Sequence, residues 1–439
     1  MMNVKSVATA LILSTLLAGC SWFGEKEKPP LPGDRVAVLL FDNELKVDPE
    51  VAELAVRLPR PVENTEWRVP GGRPSHVMHH LALGESPRVL WRADAGTGSS
   101  DSSVLTAAPV VAGGRVFTMD AEGEISAFEA QDGRLIWEFE TTPEDEDAAV
   151  VGGGVAYAEG RIFAGTGYAE VIAVSAADGK QVWRSPVPAP VRSAPTVTDG
   201  RVFVVTLDNQ IIALNAQNGE RLWGYAGISE VAGLLGGASP AVDRDLVIAP
   251  FSSGEIFALR AENGRVLWSD NLTAVRRVDA VSSLADIRGR PVIDRDMVFA
   301  LSHSGRMVGV DRRLGARIWE RDIGGVEMPW VAGDYVFILT NNSQLVALTR
   351  AEGRIRWITG LPRFEDEEDR EDPISWAGPV LAGDRLILAG SDGKALSVSP
   401  YTGEVLGEFD LPDGVTVAPV VAGNTVYFIT NDAELIALR

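Results

Sequence analysis

Cysteine is almost missing from this 439-residue chain: Cys20 is the only one. One thiol excludes an intrachain disulfide and any site assembled from several thiolates. Positive charge is the short side of the balance, with 40 Lys and Arg against 61 Asp and Glu and a formal net charge of −21. A surface that acidic repels phosphate backbones, which argues against nucleic acid as a partner. Histidine is scarce too, four residues in all, three of them His76, His79 and His80. A His-x-x-His pair with no cysteine nearby, in a stretch that reads as irregular chain, is a poor zinc site, so no metal is expected. The apolar run 7–17 is too short to span a bilayer comfortably. Gly165-Thr-Gly167 lacks both the third glycine and the strand-to-helix context of a dinucleotide fingerprint, and no cofactor is expected.

What is present starts at the N-terminus. Lys5, the apolar run and Leu17-Ala18-Gly19-Cys20 have the order of a secretory signal ending in a small-residue cleavage site. The tetrapeptide resembles a bacterial lipobox, which implies that residues 1–19 are removed and that Cys20 is the lipid attachment point. Ser21 stands where Asp commonly retains lipoproteins at the inner membrane, so the resemblance implies the periplasmic face of the outer membrane. Residues 20–35, with Glu25, Lys26, Glu27, Lys28, Pro29, Pro30 and Pro32, read as a flexible tether. Residues 36–87 read as an extended N-terminal arm lying along the main domain.

Length alone suggests about three domains at roughly 150 residues each, but an internal repeat overrides that prior. Trp91, Trp137, Trp183, Trp223, Trp268, Trp319 and Trp357 recur at spacings of 46, 46, 40, 45, 51 and 38 residues. From Trp137 onward each ends a unit such as Ile125-Ser-Ala-Phe-Glu-Ala-Gln-Asp-Gly133-Arg-Leu-Ile-Trp137. Alternating apolar residues bounded by Asp-Gly or Asn-Gly indicate short antiparallel strands joined by tight hairpins. Four strands in about 44 residues match the repeat of a β-propeller blade. One set of units centres on Phe117, Phe163, Phe203, Val247, Val298, Phe337, Leu386 and Val426. A second centres on Ala127, Ala173, Ala213, Ala258, Gly309, Ala347, Ser397 and Ala437; both count eight. The last unit stops at Arg439 without a Trp strand, whereas Arg88-Val-Leu-Trp91 is such a strand with no blade before it. The expected fold is therefore all-β, an eight-bladed propeller over 88–439, closed by the N-terminal strand completing the last blade. Gly407 replaces the expected Trp in the seventh unit, which predicts a weaker blade contact there.

The Ala-x-x-x-x-Gly-x-x-x-Trp repeat resembles quinoprotein-type propellers, and a periplasmic quinoprotein-type dehydrogenase is one alternative reading. Those enzymes are longer, many carry a disulfide between adjacent cysteines, and their calcium ligand set cannot be assembled from the motifs here. Lipobox, tether and eight such blades together resemble the BamB family, lipoproteins of the outer-membrane β-barrel assembly machine, with the long arm more like the alphaproteobacterial branch. The resemblance implies a non-catalytic scaffold that docks on the POTRA domains of BamA, associates with the other assembly subunits and helps outer-membrane proteins fold and insert. Pairing of unfolded clients with outer blade edges is a further implication, and a generic envelope adaptor is the remaining alternative.

Loop length marks the docking face. Trp to the next blade's Pro takes 12 residues to Pro195, 17 to Pro240, 23 to Pro291, 10 to Pro329 and 22 to Pro379, and irregular loops on a rigid scaffold are where binding concentrates. The family carries its BamA contact in the connections that end at Pro240 and Pro291. By that resemblance the partner-binding residues are Leu234, Leu235, Leu284, Asp286, Ile287 and Arg288. Leu234, Leu284 and Asp286 match the family pattern and Ile287 is a mild change, whereas Leu235 stands where Arg is expected and Arg288 where an acid is expected. The runs 144–147 and 365–372 are acidic and read as solvated loops.

Overall fold

A row of four side chains, repeated around the ring, builds each blade. In a computed structural model describing residues 45–146, 152–230, 233–273 and 284–439, Val110, Phe117, Ala127 and Trp137 lie in register across the four strands of the first blade. The small residue between the two aromatics lets their rings approach to 5.9 Å between centroids. The same row recurs as Thr196, Phe203, Ala213 and Trp223 and as Trp330, Phe337, Ala347 and Trp357. Where the repeat is less regular, the sequence centres Val247, Val298, Leu386 and Val426 sit one residue early. Ile248, Phe299, Ile387 and Tyr427 hold the row. A one-residue slip in a strand turns a side chain to the opposite face, which corrects those four assignments.

The resulting four-stranded antiparallel blades span 110–139, 154–186, 196–226, 241–271, 292–321, 330–360 and 376–410. The eighth consists of Val420–Ala422, Thr425–Ile429 and Glu434–Leu438, and Val89–Asp94 supplies its outer strand. Trp91 pairs with Ala437 in the register that Trp137 has with Ala127. Arg88 and Arg439 exchange backbone hydrogen bonds of 2.8 and 2.9 Å at the end of that ladder. The eight-bladed ring is closed by the N-terminal strand. The expected signal peptide, Cys20, the whole tether and the arm up to residue 44 lie outside the described residues, as do Asp147, Ser282 and Ser283.

Each tryptophan docks on the following blade. The Trp91 indole N–H donates to Ala130 O at 3.0 Å, and a Cβ on Gly133 would fall 2.5 Å from the indole ring. Gly133 also has a φ of +74°, so the turn needs glycine for backbone and space alike. The pattern runs on from Trp137 against Gly179 and Ala176 O to Trp357 against Gly403 and Pro400 O. Gly407 now has a reason. The next turn it would face is the break between Arg439 and Arg88, where no hairpin exists to receive an indole. The outer strand Val405–Asp410 is exposed along its whole length.

The arm lies across the ring. It begins on the sixth blade, where Asp48 N donates to Ile355 O at 2.9 Å. It then hydrogen-bonds to the innermost strands near the axis. Trp67 and Val111 exchange bonds of 2.7 and 2.9 Å, Val242 N donates to Pro74 O, Ile293 N to Ser75 O, Leu81 N to Leu381 O and Gly423 N to Asn64 O. Trp67 stacks on Trp330 with ring centroids 6.3 Å apart, and both are buried. These contacts sit at the trailing ends of the inner strands, so the arm caps the central channel on that side.

Two of the three arm histidines are backbone anchors. His80 Nδ1 donates to Pro59 O at 2.8 Å, and its Nε2 accepts from Asp384 N at 3.1 Å. His76 Nδ1 donates to Pro291 O at 2.7 Å, and burial pushes its pKa down to about 3 from 6.5. Between those values the unfolded chain takes up a proton that the folded chain refuses, so stability falls as pH drops through that window, at up to about 1.4 kcal/mol per pH unit. Melting curves from pH 7 to pH 4 are expected to show this loss, and a smaller loss in His76→Gln, whose amide still reaches Pro291 O. Equal pH slopes for the two proteins would contradict it.

Candidate functional site

In a four-stranded meander, the connection from one outer strand to the next inner strand emerges on the face opposite the arm. The innermost strand of most blades starts just after a proline, and the residue before that proline faces the axis. That position is occupied by Ala108, Ala194, Ser239, Arg290, Met328, Gly378 and Ala418, so one arginine stands among small or apolar neighbours. Together the connections surround a cavity of about 330 Å³ at the channel mouth, whose ionisable residues are Arg192, Arg288, Arg290 and Glu327.

Two long connections rise beside this mouth and are joined. The backbone N–H of Leu234 donates to Asp286 Oδ2 at 2.8 Å. Asp286 is only 6% exposed, and burial raises its pKa, against the lowering effects of the Leu234 N–H, Arg288 and His303. Its carboxylate therefore ties one loop to the other instead of facing outward. Ile287 is 1% exposed and packs with Ile248, Ile256, Ile293 and their neighbours. Of the expected contact residues, Ile287 and Asp286 thus act as supports under the loops. Leu234, Leu284 and Arg288 are partly exposed, and Leu235, at 42%, is the most open of them. Ile228, at the base of the first loop, is a second open apolar side chain on that connection, 59% exposed. It is held from beneath, since Asn209 Nδ2 donates to its carbonyl at 2.6 Å and Glu255 accepts its N–H at 2.8 Å.

Arg288 turns toward the channel, with Nη1 4.0 Å from Glu327 Oε1. Glu327 accepts the Gly378 N–H at 3.2 Å, and burial raises its pKa against the pull of Arg288 and Arg290. Sequence reading missed Arg192, Arg290 and Glu327. The available signal was the axial position before each proline, which only a register of the blades makes visible. The acidic run 365–372, expected as a loop, forms most of a short exposed hairpin pairing Phe364–Asp366 with Glu371–Pro373. Glu367 Oε1 accepts the Arg363 N–H at 2.7 Å near its base.

Known proteins match these features. A family model described as outer membrane protein assembly factor BamB matches residues 144–359, and one described as the β-propeller domain of glucose/ethanol/alcohol dehydrogenase matches 88–184. The BamB of Legionella pneumophila (strain Paris) is 26% identical over 198 residues, 45% of this chain and 49% of its own length. That of Escherichia coli (strain K12) is 24% identical over 208 residues, 47% of this chain and 50% of its own. The chain thus spans about half the length of the curated relatives it matches. Among solved structures, BamB from Moraxella catarrhalis aligns with a TM-score of 0.68 at 19% identity, covering 81% of this chain and 100% of that one. A quinohemoprotein alcohol dehydrogenase from Pseudomonas putida HK5 aligns at 0.66 and 14% identity, covering 88% and 83%. At those identities both structures speak to the propeller fold alone. The repeat and the family and sequence matches favour one of the two groups: over about half its length the chain is similar to BamB proteins.

Proposed function

We propose that this protein is an outer-membrane protein assembly factor, a scaffold without catalytic activity that docks on BamA through the face carrying the two joined connections. In this reading Cys20 carries the lipid that holds the ring at the periplasmic face of the outer membrane, and the ring helps incoming β-barrel proteins fold and insert alongside the other assembly subunits. One observation carries the docking part: Asp286 and Ile287 brace two neighbouring loops so that Leu235 and Ile228 stay exposed on a rigid base. Apolar side chains held open on a supported loop are suited to burial by a partner.

The dehydrogenase reading meets a poor fit at the axis. Calcium beneath a quinone needs a set of oxygen ligands, whereas the mouth offers one carboxylate, Glu327, facing arginines.

Affinity isolation of the full chain from detergent-solubilised envelopes tests the proposal. A BamA-type protein is expected in the eluate, reduced at least tenfold for the Leu235→Asp, Ile228→Asp double variant with an unchanged melting curve. Eluates without any BamA homologue would overturn it, and bound quinone would return the enzyme reading. Undiminished recovery with the double variant would move the interface off these loops.

A further inference from the structure

The channel mouth concentrates positive charge in a protein whose formal net charge is −21. Its ionisable lining is three arginines and one glutamate. Guanidinium groups stay protonated in proteins, so they are not neutralised by losing protons. Glu327 approaches Arg288 at 4.0 Å, also attracts Arg290 and accepts the Gly378 N–H, so a single carboxylate faces three cations in the cavity. The Nε atoms of Arg192 and Arg290 are buried and have no hydrogen-bond partner among the described residues. Burial lowers the pKa of Arg290 to about 10, with Arg288 acting in the same direction and Glu327 opposing, so the group is held where charge is costly.

We propose that this mouth is a binding site for a small polyanion, a di- or tricarboxylate or a phosphate compound, held by Arg192, Arg288 and Arg290. The cavity of about 330 Å³ is of the size that takes a small molecule. Its other walls include Leu105, Val417, Met328 and the glycines Gly236 and Gly237, which offer little polar competition. Beyond it, Trp67 stacked on Trp330 lies beside Arg290 and Glu327 on the arm side. Charge-assisted bonds from guanidinium to oxyanion are strong where water is excluded, and they satisfy donors that are otherwise unmade. Glu327 serves as the internal counter-charge that keeps neighbouring guanidiniums from repelling one another when the site is empty. The proposal differs from docking on BamA in the groups it uses, Arg192, Arg288 and Arg290, although Leu235 stands at the rim of the same cavity and Ile228 lies outside it.

Citrate and pyrophosphate, titrated singly into the full chain at low ionic strength, test the site by calorimetry and by melting temperature. Saturable one-to-one binding with a raised Tm is expected for at least one probe, and which probe binds tells carboxylate from phosphate. Arg192→Gln and Arg290→Gln are each expected to weaken it at least tenfold while leaving the ligand-free melting curve in place. If Arg290→Gln fails to fold, the more peripheral Arg192→Gln decides. Absence of saturable binding by both probes, equal Tm shifts from sodium chloride at matched ionic strength, or undiminished binding by the folded variants would overturn the proposal.

Discussion

A chain lacking everything through Asp94 is expected to lose its cooperative melting transition and to associate. Deletion takes away the outer strand Val89–Asp94, so Glu434–Leu438 becomes an open edge with unpaired backbone groups. It also removes the indole that covers Gly133, and with it the Ala130 hydrogen bond that joins the eighth blade to the first. The arm and its bonds to the inner strands go too. Trp91→Ala in the full chain separates the closing strand from the arm. Removing a buried tryptophan typically costs about 3–5 kcal/mol, a large share of a total stability of about 5–15 kcal/mol. Circular dichroism melting of both proteins checks the ordering, with the deletion worse than the substitution. A deletion variant melting within a few degrees of the parent would contradict closure by this strand.

Trp67→Ala is expected to have the second largest effect, on the arm and not on the ring. Trp67 is buried against Trp330, and its backbone exchanges two hydrogen bonds with Val111. The backbone bonds survive the substitution, whereas the stacking and burial do not. A loss of about 3–5 kcal/mol is again the scale for truncating a buried tryptophan. Because the arm docks as a strap, that loss should appear first as local release. Limited proteolysis is expected to cut within 46–87 at least tenfold faster while the blades stay resistant. Cutting at the parent rate would mean that the other arm contacts hold the strap unaided. His80→Ala, which removes the Pro59 and Asp384 contacts, offers an independent check on the same strap.

Much of the fold was legible in the sequence because a propeller is periodic. Tryptophans in matching contexts, an Ala or Gly opposite each of them, and a glycine before the outer strand of seven blades are all local consequences of the same packing row. The unpaired strand at Arg88-Val-Leu-Trp91 and the unfinished unit at Arg439 gave away the closure by subtraction. The four centres misplaced by one residue show the limit. Consecutive apolar residues such as Val247-Ile248 look alike in sequence, and only pairing with Ala258 shows that Ile248 is in the row.

The candidate site was less legible, because loops carry no period. Family resemblance located the two connections, but not the direction of each side chain within them. Asp286 reads as a contact residue until its carboxylate is seen to accept the Leu234 N–H across the gap between loops. Leu235 and Ile287 are both apolar loop residues, yet one lies 42% exposed and the other 1%.

By itself the sequence determined that this chain is one ring of eight units, where the ring joins, and which residues seal blade against blade. Those follow from short-range pairing rules that repeat along the chain. Tertiary structure alone decided that the arm crosses the axis, that Gly407 faces the break in the ring, and that Arg192, Arg288 and Arg290 meet at one mouth. Residues almost one hundred positions apart become neighbours there only because the ring brings the start of every inner strand to a common axis, and that convergence leaves no local mark on the chain.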